Sequence, residues 1–537
     1  MKIAAIVENG ERENIEFKEF LVEEVHLRDD RRQSLACQMK HRIIMGNGTA
    51  VYLIGVTDRG SLKGISRERF QETISVLNCI ALEIGAEIVD CNEDVVSDSN
   101  DDGNGDGDGN EYVGLVTIKN RIVMKEHILV GSAGHVDHGK STLIGSLITG
   151  MHDDGSGKTS IFLDVQPHEI ERGLSADLSY GVYGFRSGKT IHLKNPLNKK
   201  EQASLVESAE KLVSFVDTVG HEPWLRTAIR GIVGQKLDYG LLVVAADDGV
   251  TRVTKEHLGI LLAMDLPTIV AITKTDRVDE GRIAVVEKQL FDLLRIVGKI
   301  PLRVKFTSDL HLISNKLSKG VIVPVIQTSS VTRAGLDLLD QLLFQLPKRN
   351  FESEKPFQLY IDKIYQIAGA GAGTVVSGSI KQGEVKAGDQ LLLGPMVDGD
   401  FKSVRVQSIE IHHYRTDQAS AGDIVGIALK GVSPKEVGRG MVLCKGNHKA
   451  IKVFEAEIFI LYHPTRIKKG YEPVVHLETI AEAAVFERLD RDYMMAGQSG
   501  RVTLRFKFHP YYIYDGQKFI FREGTSKGIG QVVRVCE

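Results

Sequence analysis

Residues 134–141 read GHVDHGKS, a stretch in which two glycines frame two histidines and an aspartate, and a lysine and a serine follow the second glycine. An apolar run, HILVGSA, precedes this stretch, and TLIGSLITG follows it, so the pattern is strand, glycine turn and helix. In that context consecutive backbone N–H groups can face an anion at the start of a helix. The sequence therefore predicts a phosphate-binding loop.

Individual side chains of this loop have separate expected roles. Lys140 is expected to reach the β- and γ-phosphates, Ser141 to offer its hydroxyl to Mg²⁺, and Thr142 to meet the α-phosphate. The remaining phosphate contacts are expected from the loop residues Gly134, His135, Val136, Asp137, His138 and Gly139.

A second motif follows the apolar strand IVAIT and suggests which base accompanies the phosphates. The carboxylate of Asp276 can accept two hydrogen bonds from guanine N1–H and the exocyclic amine, a donor pair that adenine lacks. Another strand, VIVPVIQ, ends before Ser329 and Ser330, whose backbone amides are expected to meet guanine O6. An Asp after a strand is also commonly a helix cap. The order of the motifs favours guanine, with candidate residues Thr273, Lys274, Asp276, Ser329 and Ser330.

Between these motifs, the strand VSFVD leads into residues suited to sensing a γ-phosphate. Asp217 is expected to hold a magnesium-bound water, the Gly220 amide to bond the γ-phosphate, and His221 to orient the attacking water. The alternative for His221 is a structural histidine at a helix cap. Upstream, Ser175 in HEIERGLSADLS is a candidate second hydroxyl ligand for magnesium, although a serine in a polar loop is commonly a turn former.

The composition of the 537 residues is that of an ordinary globular protein, with 42% hydrophobic and 26% charged residues. A formal charge of −4 excludes a molecule that attracts nucleic acid over its whole surface. Five cysteines without a C-x-x-C pair suggest neither a disulfide framework nor a zinc site. The N-terminal stretch lacks the apolar core of a secretory signal, and the apolar runs are short for a membrane span. We therefore expect a cytoplasmic protein without a membrane segment.

Changes in composition and in the pattern of apolar residues along the chain predict several domains. Residues 1–96 are expected to form a small α+β domain, and residues 97–112 an acidic Gly/Asn/Asp linker, because SDSNDDGNGDGDGN contains no apolar side chain. Alternating strand and helix patterns predict an α/β P-loop domain over 113–350. Short β-branched strands with Gly-rich turns then predict two β-barrel domains, at 351–448 and 449–537.

From about Glu126 to Glu537 the chain resembles the translational GTPases, because its motifs stand in the same order. These motifs are the phosphate loop, the Ser175 hydroxyl, D-x-x-G-H-E from Asp217, x-K-x-D from Thr273 and the strand that precedes Ser329 and Ser330. Elongation factor Tu and elongation factor 1A belong to that superfamily. Both barrels are similar too, through stretches such as GTVVSGSIKQGEVKAGD and HPYYIYDGQKFIFREG. Within the superfamily the chain is most similar to the group of GTP-binding proteins one and two, through PHEIERGLS and TKEHLGILLAMDLP.

The resemblance implies a GTPase that uses Mg²⁺, cycles between GTP and GDP, and works with the ribosome or aminoacyl-tRNA. It implies that His221 positions the hydrolytic water on the ribosome, while Val136 and Leu174 form a hydrophobic gate. A monomer is the usual form in the family. Thr273 and Ser175 depart from the usual Asn and Thr of the elongation factors.

Other functions compete with this interpretation. A GTP-dependent adaptor in RNA decay or ribosome rescue, with little intrinsic turnover, is suggested by the extra N-terminal domain. An ATPase is a more distant alternative, because the base motif favours guanine.

Overall fold

The computed structural model describes residues 2–7, 10–46, 49–97, 111–120, 126–163, 178–218, 225–349, 352–366, 373–446, 448–524 and 526–536. It divides into two compact units, Met1–Met124 and Lys125–Glu537, each with its own sheets and cores.

The N-terminal unit is a four-stranded sheet with helices, in the strand order β1-β2-β4-β3. Strand β1 runs parallel to β2, and the other pairs are antiparallel. Side chains of α3 and α4, such as Met39 and Val76, are buried with Tyr52 of the sheet. The elements are α1 (Lys2–Val7), β1 (Ile15–Lys18), α2 (Glu23–His26), α3 (Asp29–Met45), β2 (Thr49–Ile54), α4 (Arg67–Glu83), β3 (Ala86–Ser97) and β4 (Glu111–Asn120).

Strand β4 corrects the predicted boundary between the first two domains. It pairs with both β2 and β3, so it belongs to the N-terminal sheet. The prediction that the P-loop domain begins at residue 113, after a linker at 97–112, is therefore wrong. The polar stretch instead joins two antiparallel neighbours. Composition alone does not separate these cases, because a linker and a long hairpin connection are both free of apolar side chains.

The α/β domain that follows has an eight-stranded sheet in the order β11-β12-β10-β9-β5-β8-β6-β7, parallel except at β6 and β7. Strands β8, β9 and β10 are buried along their whole length, which explains their continuous apolar sequences. The strands are β5 (Glu126–Gly134), β6 (Ser179–Arg186), β7 (Lys189–Ile191), β8 (Lys211–Asp217), β9 (Tyr239–Ala245), β10 (Thr268–Thr273), β11 (Ile300–Arg303) and β12 (Ile322–Gln327).

Helices lie between these strands. They are α5 (Lys140–Thr149), α6 (Lys199–Ser208), α7 (Leu225–Gly234), α8 (Arg252–Ala263), α9 (Glu280–Ile296), α10 (Thr307–Leu317) and α11 (Leu336–Gln345), with short 3₁₀ helices at Lys158–Phe162 and Thr275–Arg277. Across the ranges given above, no helix is both long enough and apolar enough to cross a membrane.

Two six-stranded barrels complete the second unit, as the sequence predicts. The first closes in the order β13-β22-β17-β18-β21-β15, with β13 paired to β15, and the second in the order β23-β26-β25-β24-β27-β28. First-barrel strands are β13 (Gln358–Tyr360), β14 (Lys363–Gln366), β15 (Thr374–Gln382), β16 (Glu384–Lys386), β17 (Gln390–Gly394), β18 (Lys402–Ile411), β19 (Tyr414–Thr416), β20 (Gln418–Ser420), β21 (Ile424–Lys430) and β22 (Val442–Cys444). Second-barrel strands are β23 (Val453–Tyr462), β24 (Val474–Leu477), β25 (Ile480–Leu489), β26 (Ser499–Phe506), β27 (Lys518–Glu523) and β28 (Ser526–Cys536).

A buried carboxylate of the first barrel docks against the α/β domain. Asp362, 2% exposed, accepts a hydrogen bond from the Tyr180 hydroxyl at 3.1 Å and lies 3.5 Å from the Arg230 guanidinium. Tyr180 is on β6 and Arg230 is on α7, so one side chain contacts two elements of the neighbouring domain. Because a buried charge needs such partners, the contact fixes how the barrel meets the domain.

Helix α8 is fixed to the end of β5 by a buried histidine. The Nδ1 of His257 accepts a hydrogen bond from the Gly134 N–H at 2.8 Å, so this nitrogen carries no proton. The ring is 1% exposed, and burial, assisted by the charge of Lys140, lowers the pKa of His257 to about 3. The imidazole is therefore neutral at physiological pH.

Replacing His257 by Asn is expected to reduce the pH dependence of stability. Since the pKa of His257 falls from 6.5 to about 3 on folding, the unfolded chain binds the proton first, and stability is lost as the pH falls below about 6.5. Between pH 7.5 and 5.5 that loss is about 1.4 kcal/mol for one such group. The Asn side chain keeps an oxygen acceptor and does not titrate. Urea unfolding at both pH values measures the effect, and an identical pH dependence in both proteins would show that folding does not lower the pKa of His257.

Candidate functional site

The phosphate loop connects the end of β5 at Gly134 to the start of α5 at Lys140. Gly134 has φ 143° and Gly139 has φ 79°, values that favour glycine. A Cβ atom on Gly134 would lie 2.3 Å from the carbonyl oxygen of Val243. The loop therefore needs glycine at 134 for space as well as for backbone conformation.

Backbone donors in the loop remain available to a ligand. In residues 134–142, all of which the structure describes, no hydrogen bond joins the N–H groups of Val136, Asp137 and Gly139 to another protein group. Asp137 has φ 59°, so left-handed residues alternate with ordinary ones, as in backbone nests that bind anions. Lys140 is 6% exposed, and its ammonium donates to the His135 carbonyl oxygen at 2.7 Å. A positive charge thus lies against the concave loop.

A buried carboxylate holds the loop from the neighbouring strand. Asp217, at the end of β8, accepts hydrogen bonds from Ser141 Oγ at 2.6 Å and Ser132 Oγ at 2.5 Å. The Thr218 N–H in turn donates to Ser132 Oγ at 2.9 Å. Burial raises the pKa of Asp217 above its usual range, although the charge of Lys140 acts in the opposite direction. The carboxylate therefore lies in a site where a second cation would favour its charged form.

The pair Ser141 and Asp217 fits the donor set of a magnesium ion. Mg²⁺ prefers oxygen ligands and usually keeps several waters beside one or two protein groups and substrate phosphates. Among the residues with assigned positions, no cluster of three or more His, Cys, Asp or Glu side chains is placed to hold a metal. Thr142, in the first turn of α5, is adjacent to this pair.

The base motif lies just beyond the end of β10. Asp276 is exposed, and its Oδ1 accepts a hydrogen bond from Ser329 Oγ at 2.6 Å. The Thr332 N–H donates to the same hydroxyl oxygen at 3.1 Å, so the hydroxyl proton is directed at the carboxylate. Lys274 has φ 56° and places its ammonium 3.5 Å from Asp247. The two candidate base segments therefore meet at the Ser329–Asp276 hydrogen bond.

Two predicted base contacts have a different geometry. The Ser329 N–H already donates to the Ala334 carbonyl oxygen at 3.0 Å, so the expectation that its amide meets guanine O6 is wrong, and the Ser330 amide is left for that contact. Thr273 is buried, and its hydroxyl donates to the His138 carbonyl oxygen at 2.6 Å. Thr273 thus joins the base strand to the phosphate loop instead of facing a base.

Sequence reasoning missed Ser132 and His257, and it placed His138 among the phosphate contacts without predicting that its side chain supports the loop. His138 is buried, its Nε2 lies 2.9 Å from Asp248 Oδ2, and burial lowers the pKa of its ring. Ser132 and His257 hold Asp217 and Gly134 as described above. Their polar types in apolar surroundings, for example the Ser in HILVGSAG, are the signal that was available.

Four predicted site residues, Leu174, Ser175, Gly220 and His221, lie outside the described residues. Val136, the other predicted gate residue, lies in the phosphate loop and is partly buried.

Family models match most of the second unit. The model described as the elongation factor Tu GTP binding domain matches residues 125–348. Elongation factor Tu domain 2 matches residues 373–444, and the elongation factor Tu C-terminal domain matches residues 447–536.

Curated relatives extend the similarity to nearly the whole chain. GTP-binding protein 2 from Mus musculus is 33% identical over 97% of this chain and 87% of its own length. GTP-binding protein 1 from Xenopus laevis is 31% identical over 94% of this chain and 76% of its own. Elongation factor 1-alpha from Methanopyrus kandleri is 31% identical over 71% of this chain and 90% of its own.

Solved structures share the fold at lower identity. A bacterial selenocysteine-specific elongation factor has a TM-score of 0.56 and 24% identity, over 76% of this chain and 58% of that longer chain. The elongation factor SelB from Methanococcus maripaludis, with the GTP analogue GPPNHP, has a TM-score of 0.54 and 22% identity, over 77% of this chain and 79% of that one. These likenesses show a shared fold. The family models and the curated relatives confirm the resemblance inferred from the motifs: the chain belongs to the elongation factor Tu family of translational GTPases, beside GTP-binding proteins 1 and 2.

Proposed function

We propose that this GTPase binds GTP and GDP at the carboxyl edge of the α/β sheet, with the phosphates in the loop 134–142 and guanine at Asp276. The observation that carries this proposal is the 2.6 Å hydrogen bond from Thr273 to the His138 carbonyl. It holds the base strand against the phosphate loop, so a single nucleotide can occupy both.

Guanine recognition is proposed to depend on Asp276 and on Ser329 and Ser330, which follow β12 and which we call the serine loop. The Asp276 carboxylate accepts from N1–H and the exocyclic amine, while the Ser330 N–H donates to O6. Ser329 acts through its hydroxyl, which directs the carboxylate. Lys274 lies beside these groups with its aliphatic stem available to cover one face of the base.

Hydrolysis is proposed to depend on placing charge and water around the γ-phosphate. Lys140 and the loop N–H groups bind the phosphate oxygens, the Gly220 amide bonds the γ-phosphate, and His221 orients the attacking water. When bound, Mg²⁺ would neutralise charge on the β- and γ-phosphate oxygens, held by Ser141, by Asp217 through water and by Ser175. Val136 and Leu174 would form the gate that keeps His221 from the water until a partner acts.

The partners proposed are the ribosome and aminoacyl-tRNA. This proposal is supported by membership of the elongation factor Tu family and by the likeness to proteins named as elongation factors. A cytoplasmic monomer is the form that we propose for this role.

A second candidate is a GTP-dependent adaptor for RNA decay or ribosome rescue with little intrinsic turnover. The observation that favours it is the N-terminal unit, which is compact by itself and lies outside all three family-model matches. Deleting residues 1–124 would separate the candidates, because the elongation role places ribosome and tRNA binding in the second unit.

Gly134→Ala is expected to weaken GDP binding by at least about tenfold, a cost of about 1.4 kcal/mol. The added Cβ would lie 2.3 Å from the Val243 carbonyl oxygen and must displace the loop. Titration with a fluorescent GDP analogue measures the effect. Gly259→Ala in helix α8 is the control, because nothing lies within 4 Å of its added Cβ. Equal affinity in the Gly134 variant and wild type would refute the role given to the loop.

Asp276→Asn is expected to change the base preference of the site from guanine to xanthine. The amide offers a donor to the xanthine C2 carbonyl and no longer accepts from the guanine amine, so GDP affinity should fall roughly tenfold to a hundredfold. Asp279→Asn is the matched control, since Asp279 caps helix α9 by accepting from the Arg282 N–H. Competition binding measures the relative affinities for GDP and xanthosine diphosphate. Unchanged GDP binding in the Asp276 variant would exclude Asp276 from base recognition.

His221→Ala is expected to retain GTP affinity and lose ribosome-stimulated hydrolysis by roughly a hundredfold or more, as for other water-orienting groups. Phosphate release would be measured with and without ribosomes in wild type and variant. If wild type releases no phosphate faster with ribosomes, the adaptor function is favoured. Full stimulation in the variant would contradict the role of His221.

A further inference from the structure

A short loop between α5 and the 3₁₀ helix at Lys158–Phe162 is built around one buried carboxylate. Asp153 is 5% exposed and accepts hydrogen bonds from the N–H groups of Gly155 at 2.8 Å, Gly157 at 3.1 Å and Thr159 at 3.0 Å. Three backbone donors on one side chain leave this loop little conformational freedom. We call residues 152–159, which are this loop and the first two residues of the 3₁₀ helix, the brace.

The brace contacts both segments of the base site. The Asp153 N–H donates to the Ser330 carbonyl oxygen at 2.9 Å, and the His152 Nδ1 lies 2.9 Å from the Val331 carbonyl oxygen. On the other side, the Arg277 guanidinium donates to the Gly155 carbonyl oxygen at 2.7 Å. Arg277 directly follows Asp276, so the brace joins the serine loop to the turn that carries the carboxylate.

The brace is also fixed to α5, the helix that follows the phosphate loop. The Thr159 hydroxyl donates to the Thr142 carbonyl oxygen at 2.9 Å and lies 3.2 Å from Ser146 Oγ. A Cβ atom on Gly145 would lie 2.0 Å from the Thr159 carbonyl oxygen, so the two backbones are in direct contact. Movement of the brace relative to α5 is therefore restricted.

We propose that Asp153 and Arg277 are positioning residues for guanine recognition, acting through the brace without contact to the nucleotide. This inference rests on the proposed function. Ser330 and Asp276 would bind opposite sides of the base edge, O6 and the N1–H/amine pair, so both contacts require one fixed separation. The brace sets that separation, since it bonds the Ser330 carbonyl on one side and the residue after Asp276 on the other.

The test compares GDP with inosine diphosphate, which lacks the exocyclic amine that Asp276 would bind. Wild type is expected to prefer GDP by about tenfold or more. In Asp153→Asn an amide N–H₂ replaces one carboxylate oxygen and points at the N–H groups of the loop. This variant is expected to bind GDP about tenfold more weakly, and the ratio of its affinities for GDP and inosine diphosphate (IDP) should approach one. Asp154→Asn is the matched control, because Asp154 is exposed and its carboxylate bonds to Ser156 of the same loop, without contact to Ser330 or Arg277 in the described hydrogen bonds.

Arg277→Ala provides a second variant in case Asp153→Asn does not fold, since Arg277 is exposed. Arg277→Ala is also expected to lower the ratio of the affinities for GDP and inosine diphosphate. A folded variant that binds GDP more weakly with the wild-type ratio has only a structural defect, and that result would overturn the inference. Wild-type ratios in both variants would overturn it as well, leaving the proposed function intact. If wild type itself binds neither nucleotide, the proposed function fails together with this inference.

Discussion

The hydrogen bond from Thr273 to the carbonyl of His138 is the contact on which the arrangement of the site depends. It joins the strand that presents Asp276 to the loop that presents Lys140. The ribose of a nucleoside triphosphate limits the distance between base and phosphates, so a site that binds both ends must hold its two halves within that range. Burial of Thr273 strengthens this contact, because a His138 carbonyl left without a donor there would carry a desolvation cost.

Neutral and paired groups surround the phosphate loop, so that its cationic character comes from Lys140 and the backbone. His257 is held neutral by burial and accepts from Gly134, and His138 is paired with Asp248. Asp217 is buried and takes both serine hydroxyls. These contacts lie within the protein itself, so the fold holds the phosphate loop and its neighbouring side chains in place.

Motifs with local spacing were predictable from sequence, and contacts between distant segments were not. The phosphate loop, the buried strands and the two barrels follow from patterns within short windows. By contrast, Ser132 and Asp217 meet across 85 positions, and Gly134 and His257 across 123. The assignment of β4 failed because its partner β2 lies on the far side of a helix and a strand. Ser329 was found by its order in the chain, yet whether its amide or its hydroxyl acts depends on the turn that brings Ala334 to it.

Calorimetric titration of the full chain with GDP and with ADP tests the central claim most directly, because the two nucleotides share phosphates and differ in the base edge. The account predicts GDP binding at least about a hundredfold tighter than ADP, since both Asp276 contacts and the Ser330 contact are lost with adenine. Equal affinity for the two nucleotides would contradict it.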